Sequence, residues 1–226
     1  MILFCACAYS DVIPMSRKVA VWRRLKAQYG EVTVVADLCR MAAEKNPLLQ
    51  QAASAEDLCI AACYPRAVSA LFAWAGAPLD PERVHFINLR EMLEEEKLPA
   101  GLPEESLPPE WPVVDREKEW IPWFPVIDPG RCIQCRQCME FCLFGVYEKN
   151  PAEKVSVVYP EGCKTNCPAC ARLCPEAAII FPKYPDPPIN GAAITDEAAA
   201  RAVAKAFAEG DMRTMLEERR KKRRAL

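Results

Sequence analysis

Cysteine is the residue type that sets this sequence apart, since 13 of the 226 residues are cysteines. Eight of them lie in two short runs of four. The runs are Cys132-x2-Cys135-x2-Cys138-x3-Cys142 and Cys163-x3-Cys167-x2-Cys170-x3-Cys174. Thiolates repeated at such short intervals can surround an iron–sulfur cubane, whereas a zinc ribbon uses only two cysteines in each run. The spacing therefore predicts two iron–sulfur clusters.

The fourth cysteine of each run is expected to serve the cluster of the other run. We expect a helix to begin at Cys142 and at Cys174 and to point away from its own run, so that each thiolate crosses over. One predicted ligand set is Cys132, Cys135, Cys138 and Cys174. The other predicted set is Cys163, Cys167, Cys170 and Cys142. The crossing would join both clusters in one module.

Residues 131–182 resemble a bacterial dicluster ferredoxin. The resemblance is carried by the twofold cysteine repeat, by Pro175 directly after the last cysteine and by the apolar strand Ala178-Ile179-Ile180. It implies an α+β dicluster ferredoxin-like domain with two [4Fe-4S] clusters and low-potential one-electron transfer. The sequence departs from the family in the three-residue gap that opens the second run, and in Leu143, where the family has proline.

Three other chemistries are compatible with parts of the cysteine pattern. Eight thiolates could bind zinc, although each run has twice the cysteines that a zinc ribbon supplies. Disulfides suit neither an odd number of cysteines nor a reducing compartment. The spacing Cys163-x3-Cys167-x2-Cys170 matches that of radical S-adenosylmethionine enzymes, but Cys174 would leave no iron open to a substrate.

Residues 1–90 show a different pattern, in which apolar strands alternate with helices. The predicted strands are Ile2–Cys7, Val32–Ala36, Leu58–Ala62 and Val84–Leu89. The predicted helices are one that Ser16 caps and that runs to about Tyr29, Leu38–Lys45, Pro47–Ala53 and a helix from Pro65 through Ala67–Ala75. Parallel strands joined by helices form a sheet that is covered on both faces. The pattern therefore predicts an α/β domain with a small parallel sheet, Rossmann-like in its organisation.

Four cysteines of this domain fall at predicted strand ends. Cys5 and Cys7 alternate on one face of the first strand, and Cys39 and Cys63 follow the second and third strands. The carboxyl ends of parallel strands meet at one edge of a sheet, so these four thiols are expected to converge in one crevice. They are candidate ligands of a third [4Fe-4S] cluster. The alternative is that short thiols fill a packed core, as we expect for Cys59.

The same segment resembles the N-terminal region of the flavin-linked component of heterodisulfide reductase, known as HdrA, over about 90 residues. The resemblance is carried by Phe4-Cys5-Ala6-Cys7, Leu38-Cys39, Ala61–Arg66 and Asn88–Glu91. No flavin-binding Gly-x-Gly-x-x-Gly occurs in the sequence. The resemblance implies an iron–sulfur docking domain in a flavin-linked electron-transfer complex, whose partners are a flavoprotein or heterodisulfide-reductase-like subunits.

The rest of the sequence divides into a connecting segment, the cysteine-rich module and a tail. Residues 91–129 are acidic and rich in proline and tryptophan, and we expect them to pack across both domains. The dicluster domain is predicted at 130–190, and 191–226 are expected to form helices that end in the basic run Arg219–Arg224. This run lacks interleaved aromatic residues, so a solvated helix end or a dock for an acidic partner is favoured over nucleic-acid binding.

The composition limits the class of protein. No apolar run approaches the roughly 20 residues that span a bilayer, and the N-terminus lacks the charged start of a signal peptide. Together with the cysteine content this predicts a cytoplasmic protein. Three functions remain open: an electron-transfer subunit, an enzyme subunit that uses a third cluster for thiol or disulfide reduction, and an iron–sulfur nucleic-acid-binding or regulatory protein. The first is favoured, with no catalytic residue assigned.

Overall fold

A parallel sheet of four strands organises the N-terminal unit in this computed structural model, which describes residues 1–91 and 111–201. Its strands are β1 (Ile2–Cys5), β2 (Thr33–Val35), β3 (Leu58–Ala62) and β4 (Val84–Asn88). They lie in the order β2-β1-β3-β4, and each neighbouring pair is parallel. The helices between them are α1 (Met15–Tyr29), α2 (Leu38–Ala43), α3 (Pro47–Ala53) and α4 (Pro65–Trp74). The predicted α/β fold class is therefore confirmed.

Local sequence sets where the helices begin. The side chain of Asp37 caps α2 by accepting a hydrogen bond from the backbone N–H of Arg40 at 3.0 Å. Pro47 and Pro65 occupy the first turns of α3 and α4, where a helix needs no N–H donor. Because α2 and α4 begin shortly after β2 and β3 end, the residues in these turns lie at the carboxyl edge of the sheet.

The C-terminal unit is built from short elements around the two cysteine runs. The strand β5 (Val126–Ile127) pairs antiparallel with β8 (Ile179–Ile180), and β6 (Tyr147–Lys149) pairs antiparallel with β7 (Val155–Val157). Helix α5 (Gln137–Phe141) lies in the first run, and α6 (Ala169–Leu173) lies in the second. Their small shared core includes Cys138 and Cys170 among its buried residues. The predicted α+β ferredoxin-like class and the strand at Ile179–Ile180 are confirmed.

Tryptophans of the connecting segment pack against both cores. Trp111 contacts Phe4 and Trp22 of the N-terminal unit, with ring centroids 5.8 Å and 6.5 Å apart. Trp123 contacts Phe181 of the C-terminal unit, with centroids 5.4 Å apart. Buried aromatic pairs of this kind add to the stability that burial alone provides. The described part of the segment therefore joins the two units through apolar contacts.

Helix α4 contacts the C-terminal unit at both of its ends. In its first turn, the guanidinium of Arg66 donates to the carbonyl oxygen of Ala177 at 3.0 Å and pairs with Asp128 at 3.3 Å. At its last residue, the indole N–H of Trp74 donates to the carbonyl oxygen of Val157 at 2.9 Å. A helix of this length spans about 15 Å. Two anchor points so far apart fix how the units are oriented.

Some element boundaries differ from the prediction. Strand β1 ends at Cys5, because Cys7 adopts a left-handed conformation with a φ of 45° that no strand contains. Strand β2 is one residue shorter at each end than predicted. Helix α1 begins at Met15, so Ser16 lies inside it rather than capping it. Strand β3 has the predicted bounds.

Part of the predicted organisation lies outside the described residues. This applies to 92–110 of the acidic segment and to 202–226, which include the basic run Arg219–Arg224; residues 197–201 are helical. The domain boundaries and the cytoplasmic location therefore stay predictions. In the two described ranges, no helix has the length and apolar character needed to cross a bilayer.

Candidate metal centres

The first quartet combines three cysteines of the first run with the last cysteine of the second. Its members are Cys132, Cys135, Cys138 and Cys174, and all four line one small cavity. The pKa of Cys138 is raised to about 12, first by burial and then by the neighbouring thiol of Cys174. Burial also raises the pKa of Cys132, and Cys174 and Cys135 raise it further. The structure thus brings together the four residues of the first predicted set.

Left-handed residues turn the first run around this quartet. Gln134 and Arg136 lie between its cysteines with φ values of 59° and 66°. Such conformations are costly for residues other than glycine and persist only where the surroundings enforce them. The turn lets the side-chain amide of Gln134 donate to Sγ of Cys132 at 3.3 Å, while the backbone N–H of Ala178 donates to Sγ of Cys174 at 3.2 Å. Donors aimed at sulfur favour its thiolate form.

The second quartet contains the other four cysteines of the two runs: Cys142, Cys163, Cys167 and Cys170. All four line a cavity of about 460 Å³, whose walls also include Leu143 and Val146. The pKa of Cys163 is raised to about 12 by burial first, and then by the thiols of Cys167 and Cys142. Cys142 therefore lies with the cysteines of the second run, although it belongs to the first.

One residue of the second quartet has a partner that the sequence pattern did not reveal. The hydroxyl of Tyr147 donates to Sγ of Cys170 at 3.1 Å, and both residues are buried. Burial raises the pKa of Tyr147 well above its ordinary value, and the adjacent Cys170 raises it further. Tyr147 therefore keeps its proton and remains a hydrogen-bond donor to the thiol.

The expectation that a helix begins at each fourth cysteine is wrong. Helices α5 and α6 end immediately before Cys142 and Cys174, which follow them in extended conformations with ψ of 111° and 113°. The third cysteine of each run, Cys138 or Cys170, lies inside the helix instead. Because an extended residue carries the chain off the helix axis, the fourth thiol leaves its own run and reaches the other quartet.

Both quartets fit an iron–sulfur cubane. Each offers four thiols, the donor set of such clusters. Burial raises the pKa of Cys132, Cys138, Cys163 and Cys170, because their thiolates would lose hydration, and the positive charge of bound iron would offset that cost. Within the described residues, no group of three or more cysteine, histidine, aspartate or glutamate side chains is arranged to hold a single metal ion. The fit to a cubane therefore rests on the four thiols that line each cavity.

The N-terminal quartet, Cys5, Cys7, Cys39 and Cys63, lies at the carboxyl edge of the parallel sheet. Cys5 is the last residue of β1, Cys7 follows two residues later, Cys39 lies in the first turn of α2, and Cys63 separates β3 from α4. Cys5, Cys7 and Cys39 are buried and Cys63 is partly exposed. The backbone N–H of Leu38 donates to Sγ of Cys5 at 3.4 Å. The structure brings together this set as well, although β1 is shorter than predicted.

The four N-terminal thiols influence one another electrostatically. Burial raises the pKa of each, that of Cys63 to about 12. After burial, the thiol of Cys7 is what most raises the pKa of Cys5 and of Cys63. Cys63 and Cys7 also raise the pKa of Cys39, in addition to the larger effect of burial. Cys59 differs, because after burial it is Asp57, and not a second thiol, that raises its pKa further.

Buried lysines from both units lie beside the N-terminal quartet. Lys183 of the C-terminal unit pairs with Asp37 at 2.9 Å, and their side chains are only 5% and 1% exposed. Lys18 of α1 is 1% exposed and donates to the carbonyl oxygens of Cys7 at 3.2 Å and Ser10 at 3.4 Å. No sequence signal marks these lysines, because lysine is almost always a surface residue.

A comparison with known families identifies the module that holds the two cysteine runs. Residues 124–206 match the 4Fe-4S dicluster domain family. The dicluster domain implies two [4Fe-4S] clusters, and its cysteines are present between Cys132 and Cys174. The chain is also similar to an uncharacterized ferredoxin of Methanocaldococcus jannaschii, with 46% identity over 68 residues, 30% of this chain and 46% of the relative. The chain thus spans about half the length of that relative.

The comparisons support less for the N-terminal unit. The family match begins at residue 124, and no solved structure matches the chain. The resemblance of residues 1–90 to the flavin-linked component of heterodisulfide reductase has no support from them. The chain therefore contains a ferredoxin-type iron–sulfur dicluster domain, consistent with electron transfer, attached to an α/β unit with its own set of converging cysteines.

Proposed function

We propose that this protein transfers single electrons through two [4Fe-4S] clusters, one held by the first quartet and the other by the second. The observation that carries the proposal is the crossed grouping. Each cavity is lined by three cysteines of one run and the fourth cysteine of the other. Bound clusters would supply the one-electron chemistry, since [4Fe-4S] centres cycle between adjacent redox states.

The residues around the quartets position the sulfur ligands and control access to them. Tyr147 holds Sγ of Cys170 in place from the buried side. On the outer side Cys135 is exposed, and Ile133 and Leu143 are 62% and 93% exposed. Each quartet therefore has one face closed to water and one apolar edge at the surface. Electron exchange with another protein would take place across such edges.

The crossed ligation can be tested with three cysteine variants. We expect Cys142→Ala and Cys163→Ala to remove the same electron paramagnetic resonance (EPR) signal from the reduced protein. Cys138→Ala should remove the other signal. Iron and sulfide assays of protein purified without oxygen should give at least about eight of each, the content of two [4Fe-4S] clusters. If Cys142→Ala instead resembles Cys138→Ala, each run holds its own cluster and the crossing is wrong. Zinc without sulfide would overturn the proposal.

We further propose that the electrons are of low potential and are relayed between a flavoprotein and a terminal reductase within an oxidoreductase complex. The dicluster domain supports the electron transfer, and the resemblance of residues 1–90 supports the flavin partner. Stopped-flow mixing with reduced flavodoxin, a flavoprotein donor, should bleach the iron–sulfur absorbance at a rate that saturates with donor. Methyl viologen radical serves as the partner-independent control. Reduction by the viologen but not by the flavoprotein would contradict a flavin-linked role.

A further inference from the structure

We propose that the N-terminal quartet holds a third [4Fe-4S] cluster, placed at the seam between the two units and next to the first quartet. This site goes beyond the two clusters of the dicluster domain and does not depend on them. It rests on the convergence of four thiols, on the buried positive charge around them and on the connection that α4 makes to the first quartet.

The fold itself brings the thiols together. Strand β1 lies between β2 and β3, so three neighbouring parallel strands end at the same edge of the sheet. Each of these ends contributes at least one cysteine to the N-terminal quartet. The left-handed turn at Cys7, with a φ of 45°, places a second thiol beyond the end of β1. Four thiols from three chain segments form the donor number of a cubane.

The charge around the quartet suits an anionic occupant. Lys183 and Lys18 are both buried, whereas Asp37 supplies one carboxylate to this pair of cations. An oxidised cubane with four thiolates carries a net charge of about −2, which would balance buried ammonium groups. Burying a lysine without such compensation is costly. A core that used its cysteines only as small apolar side chains would not place two lysines beside them.

Cys59 is the one cysteine of the N-terminal unit outside the quartet, and it is only partly buried rather than part of the packed core that we expected it to fill. Cys59 lies within β3 and pairs across the sheet with His85, and Asp57 is the first side chain after burial to affect its pKa. Its partners in the neighbouring strands are Ile2 and His85 rather than Lys18 or Lys183. The five cysteines of the N-terminal unit therefore fall into two classes, and only the quartet combines several thiols with buried cations. Cys59 is the matched control for any substitution in the quartet.

The connection to the first quartet runs through the first turn of α4. Cys63 lies three residues before Arg66, whose guanidinium donates to the carbonyl oxygen of Ala177 at 3.0 Å. The backbone N–H of Ala177 in turn donates to the carbonyl oxygen of Cys174 at 3.1 Å. Lys183, nine residues after Cys174, pairs with Asp37 beside the N-terminal quartet. Cys163 of the second quartet also packs against the N-terminal core. The hydrogen-bonded path favours the first quartet as the neighbour of the third site, so electrons that enter there would reach the first cluster before the second.

Metal content tests the third site directly. The full chain, purified without oxygen or reconstituted with iron and sulfide, should contain about twelve irons. Cys39→Ala should contain about eight, a loss of one third, whereas Cys59→Ala should keep all twelve. Retention of both dicluster EPR signals in Cys39→Ala would show that this variant still folds. Eight irons in the unsubstituted protein would overturn the third site and leave the dicluster proposal intact, as would one bound zinc in addition to eight irons.

Magnetic interaction tests the placement. In the fully reduced protein, the third cluster should broaden and speed the relaxation of one dicluster signal, and Cys39→Ala should abolish that effect. The affected signal should be the one that Cys138→Ala removes. If instead it is the signal that Cys163→Ala removes, the third cluster neighbours the second quartet and the inferred order is wrong. Lys183→Arg keeps the charge, so it should keep the third cluster.

Discussion

The N-terminal quartet and the quartets of the dicluster domain are built in opposite ways. In the dicluster domain three ligands of each set lie within eight residues of one another, and short helices and left-handed turns shape the site. In the N-terminal unit the thiols come from strand ends spread between Cys5 and Cys63, and the sheet assembles them. The first kind of site is visible as a spacing. The second kind depends on the sheet topology and on the apolar core around the sheet.

Removal of iron should cause the largest difference between the two regions, which we expect in the protection of their backbone amides. Among the described residues, the dicluster unit has a small core of ten buried residues, two of them its own cysteines, whereas the N-terminal core is much larger and, besides cysteines of its own quartet, includes Leu3, Ile60 and Phe72 at full burial. Metal binding contributes on the order of 10 kcal/mol to folding in small metal-dependent domains. In iron-free protein, amide exchange at Ile179–Ile180 should accelerate by about a hundredfold or more, while Leu58–Ala62 stays protected. Hydrogen exchange with mass spectrometry measures both. Equal protection in β8 and β3 would contradict the contrast.

Lys183→Met should cause the next largest effect. It leaves Asp37 buried without its partner, and breaking a buried pair costs about 3–5 kcal/mol of unfolding free energy. The loss can be measured by denaturant titration under argon, followed by tryptophan fluorescence. Adding Asp37→Asn should recover much of the loss, because asparagine still caps α2.

The control for Lys183 is Lys149, whose partner Glu153 is 72% exposed. Lys149→Met should cost less than about 1 kcal/mol, as surface pairs do. Equal losses of unfolding free energy in the two lysine variants would mean that the buried pair between the units stabilises the protein no more than a surface pair does.

A smaller effect is expected from Tyr147→Phe, which deletes the hydroxyl that donates to Cys170. Hydrogen bonds to ligand sulfur stabilise the reduced, more negative cluster, so the potential of the second cluster should fall by an amount on the order of tens of millivolts. Redox titration followed by EPR measures the shift. Tyr29→Phe, on the exposed end of α1, should leave both potentials unchanged. A shift of the first cluster instead would disprove the assignment of Tyr147 to the second quartet.

The smallest effect on the free energy of unfolding is expected at the ion pair between Arg116 of the connecting segment and Asp11 of the N-terminal unit. The hydrogen bond from Arg116 lowers the pKa of Asp11, but the Asp11 side chain is 87% exposed and solvent screens the pair. Arg116→Ala should therefore cost less than about 1 kcal/mol. The contribution is present above the unfolded pKa of Asp11 and disappears as pH falls through its lowered pKa, so variant and parent should become equal in acid. A difference that persists there would point to the contact of Arg116 with the backbone of Ala8 instead.

Local patterns in the sequence predicted the regular elements well. Strand β3, with its continuous apolar run, has the predicted bounds, and proline placed the starts of α3 and α4. The crossed grouping followed from the spacing. The predicted local geometry was wrong, because helices end before Cys142 and Cys174 instead of beginning there, and the spacing of cysteines does not show on which side of a ligand a helix lies.

The tertiary contacts around the cysteines could not be predicted from the sequence. Lys183 and Tyr147 come close to the cysteines only after two chain segments pack together, and neither lies in a motif. The left-handed turn at Cys7 also ended β1 earlier than its apolar residues suggest. Strand ends were therefore less predictable than strands, and the strand ends are where the N-terminal quartet lies.

The ion pair between Lys183 and Asp37 has a consequence for the modularity of the gene. A segment that encodes only the dicluster domain would carry a lysine whose carboxylate was left behind, and the remaining α/β unit would keep a buried acid with no cation. Neither half could then be exchanged as a self-contained cassette without a compensating substitution. Recombination within this family of architectures should therefore keep the two residues together or replace both at once.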